Sequence, residues 1–224
     1  MASTVIKFGT DGWRAEIAKD FNFDNVTLVG AALADYVSRT QKGKPLVIGY
    51  DTRFLSKEFA QRVAEVAAAR GVKVLLASDF ASTPEVSFAA REKRSAGGVM
   101  ITASHNPYAY NGIKFKGNFG GPGTPAMIAE IEAHLQQILD CGSEIKLMPL
   151  QEGIKKNSIR LFDSQPTYLK AVSKLVDLTA IRKAKPKVVI DGMYGAGMGR
   201  IQSILNTIGV KAHLIRHEVN PSFG

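Results

Sequence analysis

Ser104 and His105 stand side by side in the string Thr102-Ala103-Ser104-His105-Asn106-Pro107, directly after the apolar run Val99-Met100-Ile101. A hydroxyl beside an imidazole first suggests a nucleophile with its base. The surroundings argue against a hydrolase. The flanks do not read Gly-x-Ser-x-Gly. Neighbours on an extended backbone point apart. The other three histidines, His134, His213 and His217, fall on an expected helix and on the last expected strand. A serine hydroxyl is a weak nucleophile without a base or metal. Phosphoryl transfer asks more for position and charge than for a strong base. Charge is at hand. Arg14 in "FGTDGWR", Arg53 in "YDTRFLS" and Lys114 in "TASHNPYAYNGIKF" fall in segments expected to follow successive strands, as does "SDFASTPE". Each segment taken alone also reads as a turn built from Gly, Asp and Ser. Together they bring three cations and a hydroxyl to one sheet edge, a composition suited to phosphate.

The elements that must position these residues alternate. "TVIKF" (4–8), "PLVIGYD" (45–51), "VKVLLAS" (72–78) and "GGVMITAS" (97–104) read as strands. Between them lie helical patterns. One begins near Asp24 as cap, with Val26, Val29, Leu33 and Val37 on one face. A second is capped by Ser56, carries Phe59, Val63, Val66 and Ala67, and ends at Gly71. Two more open on Thr83-Pro84 and Thr124-Pro125. Such alternation predicts an α/β fold: a three-layer α/β/α domain with a mostly parallel sheet. In such sheets ligands bind beyond the carboxyl ends of the strands.

Boundaries are expected at 1–140 for this first domain, 141–165 for a linker with one short strand, and 166–224 for the start of a second, incomplete α/β domain. The last stretch reads helix ("PTYLKAVSKLVDLTAI"), strand ("KVVID"), helix ("GRIQSILNTIG") and strand ("VKAHLIRHE"). One crossover leaves a sheet face bare. Either this unit packs tightly on the first domain, or the chain is a piece of something longer; the second reading is preferred.

The chain has 224 residues, 45% of them hydrophobic, and a formal net charge of +9. Its basic residues are scattered and no aromatic–basic motif appears, so nucleic acid is not the expected partner. A phosphorylated small molecule suits the same charge. One cysteine, Cys141, excludes an internal disulfide and fits a reducing cytosol. No signal-like or membrane-spanning apolar run appears, so the expected location is cytoplasmic, away from membranes. Glycines 192, 195, 197 and 199 after "KVVID", with Glu218 further on, leave a dinucleotide-binding reading open. Their spacing is not Gly-x-Gly-x-x-Gly, and a tight turn in a βαβ unit explains them equally well.

"TASHNPYAYNGIKF" and "FGTDGWRAEI" together resemble the α-D-phosphohexomutase superfamily of phosphoglucomutases and phosphomannomutases, over the whole chain. The resemblance implies that Ser104 carries a phosphoryl group, and that the family's members interconvert hexose 1- and 6-phosphates through a bisphosphorylated sugar. It implies Mg²⁺ bound to the phosphoserine oxygen, and hexose 1,6-bisphosphate as activator. Arg14 is similar to the arginine beside that phosphate. Lys114 is similar to the lysine assigned to acid/base transfer. Thr10 and Asn106 join them in holding phosphate, and His105 either takes part or only orients Ser104. The family's Asp-Gly-Asp-x-Asp-Arg metal loop has no counterpart here. The only Asp-Gly pairs are Asp11-Gly12 and Asp191-Gly192. The three aspartate ligands, the sugar-selecting loop and the distal phosphate clamp are therefore expected from further C-terminal domains of the same polypeptide. The chain alone is expected to be inactive. A non-catalytic phosphate-binding fragment is the alternative.

Overall fold

A computed structural model describes residues 6–9 and 12–224. Among the described residues five strands and four helices come first: β1 (Gly12–Glu16), α1 (Phe23–Thr40), β2 (Leu46–Tyr50), α2 (Ser56–Ala69), β3 (Val74–Ala77), α3 (Thr83–Glu92), β4 (Gly97–Ile101), β5 (Tyr110–Lys116) and α4 (Pro125–Cys141). A short helix, α5 (Leu150–Lys155), and β6 (Ile159–Phe162) follow. The remainder is α6 (Gln165–Ser173), α7 (Leu178–Ala184), β7 (Val188–Asp191), α8 (Arg200–Thr207) and β8 (Ala212–Ile215).

The first sheet has the order β1-β5-β4-β2-β3-β6. β4, β2, β3 and β6 run parallel, while β5 and β1 join antiparallel at one edge. β2 and β4 are buried at every position, as strands covered on both faces must be. Leu46 and Ile48 of β2 join the core shared with α1, α2 and α4, whereas Val47 packs with Val86 and Ala89 of α3 on the other face. The stripes expected on α1 and α2 are buried throughout. β2 leads through α2 to β3 on one side, and β3 returns through α3 to β4 on the other. The direction of winding therefore switches between β2 and β4, which is where a crevice opens beyond the strand ends.

Several local readings change. The first strand is not 4–8. Ile6 to Gly9 are irregular, and Thr4 and Val5 lie outside the described residues. β1 starts at Gly12 and pairs antiparallel with β5, a strand far along the chain in what reads as a loop. α1 is capped by Asn22, not Asp24. α2 is preceded by left-handed Leu55, so Ser56 is its first residue. Ser82, not Thr83, caps α3, in a capping box with Glu85. Thr124 caps α4 as expected. β6, the short strand expected between 141 and 165, is the far edge of the first sheet. The single helix expected after Pro166 breaks at Lys174–Asp177, where the Asp177 side chain caps α7.

β7 and β8 make a separate two-stranded parallel sheet. Its unit docks on the first through a buried ion pair. Glu85 of α3 is wholly buried, and the Arg200 side chain is 9% exposed; Arg200 Nε donates to Glu85 Oε1 at 2.8 Å. Ser82 and Ser164 hydroxyls also donate to the Glu85 carboxylate, and the Arg200 fork reaches the carbonyls of Met198 and Phe80. Every oxygen and nitrogen of the pair is thus used, the condition under which burying charge is tolerated.

Candidate functional site

Ser104 lies on the loop that leaves the carboxyl end of β4, exposed, at the switch between β4 and β2. Its backbone is left-handed, with φ 59. A non-glycine residue adopts that conformation only where its surroundings over-determine it, at a cost on the order of 1–2 kcal/mol. Here the Ser104 amide donates to Thr102 Oγ1 at 3.0 Å, and the Asn106 amide closes back on the Ala103 carbonyl at 3.1 Å. The same twist undoes the expectation that adjacent side chains point apart. Ser104 Oγ and His105 Nδ1 are 3.4 Å from each other.

Arg53 holds the loop from below. Its Nη1 donates to the carbonyls of Pro107 and Tyr110, both at 2.9 Å. Its Nη2 donates to those of Ser104 and Asn106, both at 2.8 Å. Arg53 Nε sits 3.3 Å from Asp51 Oδ2, an ion pair without hydrogen-bond geometry. Burial pushes the guanidinium below its ordinary pKa, Asp51 opposes that, and the charge of Arg14 adds to the lowering. Arg53 is therefore not the phosphate-facing cation that the sequence suggests. Asp51 Oδ1 accepts from the Arg53 amide and from Ser56 Oγ, and the buried Asn111 amide group donates to Ser56 Oγ at 2.9 Å. The loops after β2 and β4 and the start of β5 are thereby one assembly.

Arg14 and Lys114 arrive on strands rather than on loops. Arg14 of β1 pairs with Gly112, whose neighbour on the other side is Thr102, since the Thr102 amide donates to the Gly112 carbonyl at 2.9 Å. Lys114 pairs with Gly12 of β1 and Met100 of β4. The two register rows are two residues apart, so both cations belong to one face of the antiparallel edge. Gly112 makes this possible. A Cβ there would lie 2.8 Å from Arg14 Cγ and 2.8 Å from the Thr102 carbonyl oxygen. The Arg14 stem thus lies against the bare backbone of Gly112, the residue whose carbonyl accepts from the Thr102 amide two residues before Ser104. Thr10 lies outside the described residues.

A cavity of about 520 Å³ opens in front of Ser104. Thr102, Ser104, His105 and Asn106 form one wall; Met193, Gly195, Ala196, Arg216 and Phe223 of the second unit form the other. Thr52 Oγ1 donates to the Tyr194 carbonyl at 2.8 Å, and the Arg53 guanidinium carbon lies 5.1 Å from the centre of the Phe223 ring. Sequence reasoning missed the residues of the second wall, which come from loops of an unrelated sheet. Arg216 is itself paired with Asp191, whose carboxyl it holds below the usual range, helped by the Met193 amide. The glycine loop serves this packing: a Cβ at Gly192 would come within 2.6 Å of the Arg216 carbonyl oxygen.

The described residues contain no group of three or more His, Cys, Asp or Glu side chains able to hold a metal ion. Asp51, the carboxylate in the cavity wall, is spent on Arg53 and Ser56. The residues here thus do not by themselves make a Mg²⁺ site. Among the described residues no helix is long and apolar enough to cross a membrane.

Residues 5–140 match the family profile of phosphoglucomutase/phosphomannomutase, alpha/beta/alpha domain I. A phosphoglucomutase of Staphylococcus saprophyticus is 32% identical over 219 residues, covering 96% of this chain and 39% of the relative. One from Komagataeibacter xylinus is 30% identical, covering 100% and 42%. A solved structure from Thermus thermophilus, assigned as a phosphomannomutase, superposes with a TM-score of 0.84 at 33% identity, over 97% of this chain and 47% of that one. The chain spans about two fifths of the length of these curated relatives.

Proposed function

The chain belongs to the phosphoglucomutase/phosphomannomutase family, and from that premise we propose that Ser104 takes up and returns a phosphoryl group as hexose 1- and 6-phosphates are interconverted. The observation that carries this reading is the placement of an exposed, left-handed serine at the sheet's switch point, with Arg14 and Lys114 on the adjoining strands.

In the uptake step Ser104 Oγ attacks a phosphorus of a hexose 1,6-bisphosphate. The Oγ–P bond forms as the bond from phosphorus to the sugar oxygen breaks, leaving hexose monophosphate and phosphoserine. In the return step the Oγ–P bond breaks as the free hydroxyl of the opposite hexose monophosphate bonds to phosphorus, which restores the Ser104 hydroxyl and a hexose 1,6-bisphosphate. His105 Nδ1, 3.4 Å from Oγ, stands ready to accept the hydroxyl proton. Arg14 supplies charge that stabilises the equatorial oxygens, the usual protein contribution to this chemistry. Lys114, as an ammonium, protonates the departing sugar oxygen. Asn106 carries a polar side chain on the same loop toward the phosphate. Mg²⁺ at the phosphoserine would supply charge neutralisation, and Ser104, through its phosphate, is the group of this chain that would hold it; the described residues supply no carboxylate cluster for it. The protein's partners are phosphorylated hexoses and its setting the cytoplasm; its boundaries are 1–140 for the first domain, 141–165 for the connecting stretch that lends β6 to the first sheet, and 166–224 for the second unit.

The test is incubation with α-D-glucose 1,6-bisphosphate and Mg²⁺, read by intact mass. The expected result is one added phosphoryl group, absent in Ser104→Ala. An unlabelled chain, or labelling that survives Ser104→Ala, refutes the assignment. A coupled assay of glucose 1-phosphate conversion should show no turnover by these 224 residues. Ser104-dependent turnover near about 10 per second, an ordinary enzyme rate, would show that the described elements suffice.

A further inference from the structure

The sequence offers Arg53 to phosphate, and the fold withholds it: the side chain is 2% exposed. All four Nη hydrogens are committed, to the carbonyls of Ser104, Asn106, Pro107 and Tyr110. We propose that Arg53 is a positioning residue, whose planar fork sets the backbone of loop 102–110 and through it the aim of the Ser104 hydroxyl. This rests on the phosphoryl-accepting role assigned to Ser104 above.

Four carbonyls of one short loop converge on one cation. A trans peptide is planar, so turning the Ser104 carbonyl toward Arg53 turns the His105 N–H the opposite way, to the solvent side of the loop. The Pro107 carbonyl does the same for the Tyr108 N–H. Arg53 thereby fixes the direction of amides that flank the acceptor hydroxyl, besides holding Ser104 at its left-handed φ of 59. Lysine cannot replace it. An ammonium has three tetrahedral donors, whereas a guanidinium presents a flat fork of five. Asp51 balances the buried charge from one side, and the Phe223 ring covers it at 5.1 Å from the other. That cation–π contact ties loop order to the second unit.

The test uses Arg53→Lys and Arg53→Gln with α-D-glucose 1,6-bisphosphate and Mg²⁺ as probe. The rate of Ser104 labelling at saturating bisphosphate should fall about 100-fold, the cost of misplacing a reacting atom by about an ångström. The half-saturating concentration should stay within about twofold, because the Arg53 side chain is 2% exposed and its Nη hydrogens are already committed to loop carbonyls. The opposite split, an unchanged maximal rate with weakened saturation, would make Arg53 a ligand-binding cation and overturn the proposal. Hydrogen exchange read by mass spectrometry gives a second measurement. Amides of 103–110 should exchange faster in both variants, while those of α1 and α2 keep wild-type protection. Wild-type exchange in the loop also overturns it. Should the variants fail to fold, NMR of the wild-type chain decides. The Nη hydrogens of Arg53 should exchange slowly with water, and free exchange sinks the proposal. If the wild-type chain takes no phosphoryl group, the function assigned to Ser104 fails, and the exchange measurements alone judge Arg53.

Discussion

At Ser104 chemistry and stability pull against each other. Its left-handed backbone costs on the order of 1–2 kcal/mol for a residue with a Cβ, while glycine there gives back about 0.5–1 kcal/mol in unfolded-chain entropy. Ser104→Gly should therefore abolish labelling yet raise the unfolding free energy by about 0.5–1 kcal/mol, measured in urea; a loss of stability would contradict the account of strain. Tyr50 gives the pH counterpart. Burial, then the charges of Asp79 and Glu58, pushes its hydroxyl up to about 12. The folded state then holds this proton more tightly than the unfolded chain does. The contribution is fully present below about pH 10, the ordinary tyrosine value, and is lost as pH rises toward 12. Between those values wild-type stability should fall more steeply than that of Tyr50→Phe, by on the order of 1–2 kcal/mol in total. The place of Ser104, on an exposed loop after a central strand, was legible because an apolar run leads straight into a polar, turn-forming string. Arg53 was misread for a physical reason: "YDTRFLS" shows a cation after a strand, but not that four carbonyls far along the chain will turn toward it.

Helices and central strands were legible because their periodicity is what burial demands. Val26, Val29, Leu33 and Val37 point one way on α1, and β2 is apolar at nearly every position because it is covered twice. The antiparallel edge was illegible for the reason it works. β1 ("GWRAE") and β5 ("YNGIKFK") carry glycine, charge and turn-forming residues, the vocabulary of loops. Their pairing depends on close approach. A Cβ at Gly12 would collide with the Ile113 carbonyl oxygen and come within 2.8 Å of Lys114 Cα. Gly12→Ala should therefore cost about 1–3 kcal/mol, as overpacking generally does, and lower the melting temperature by roughly 2–4 °C for each of those. Because β1 carries Arg14, labelling of Ser104 should slow as well. An alanine variant with wild-type stability and labelling would show that the edge tolerates slippage.

The whole molecule is joined at two places of different character. Glu85 and Arg200 form a dry, fully bonded ion pair between α3 and α8, while Tyr194 and Phe223 touch Thr52 and Arg53 at the cavity. Arg200→Leu leaves the Glu85 carboxylate with only neutral donors, the Ser82 amide and the Ser82 and Ser164 hydroxyls, and should cost about 3–5 kcal/mol, with the second unit melting before the first in calorimetry. Adding Glu85→Leu should recover much of that loss, since no charge then remains buried. A single unchanged transition in Arg200→Leu would remove the pair from the account of docking. The second joint has an implication that runs in both directions. Phe223 rests on the residue that orders the Ser104 loop, so docking of the second unit and capture of an anion by that loop share one free energy. Thermodynamic reciprocity then requires that the factor by which docking tightens the loop's hold on an anion equal the factor by which the anion tightens docking. An occupied loop should be a clasp as well as a reaction centre: with the bisphosphate bound, the second unit should melt later, and with Phe223→Ala that gain should shrink.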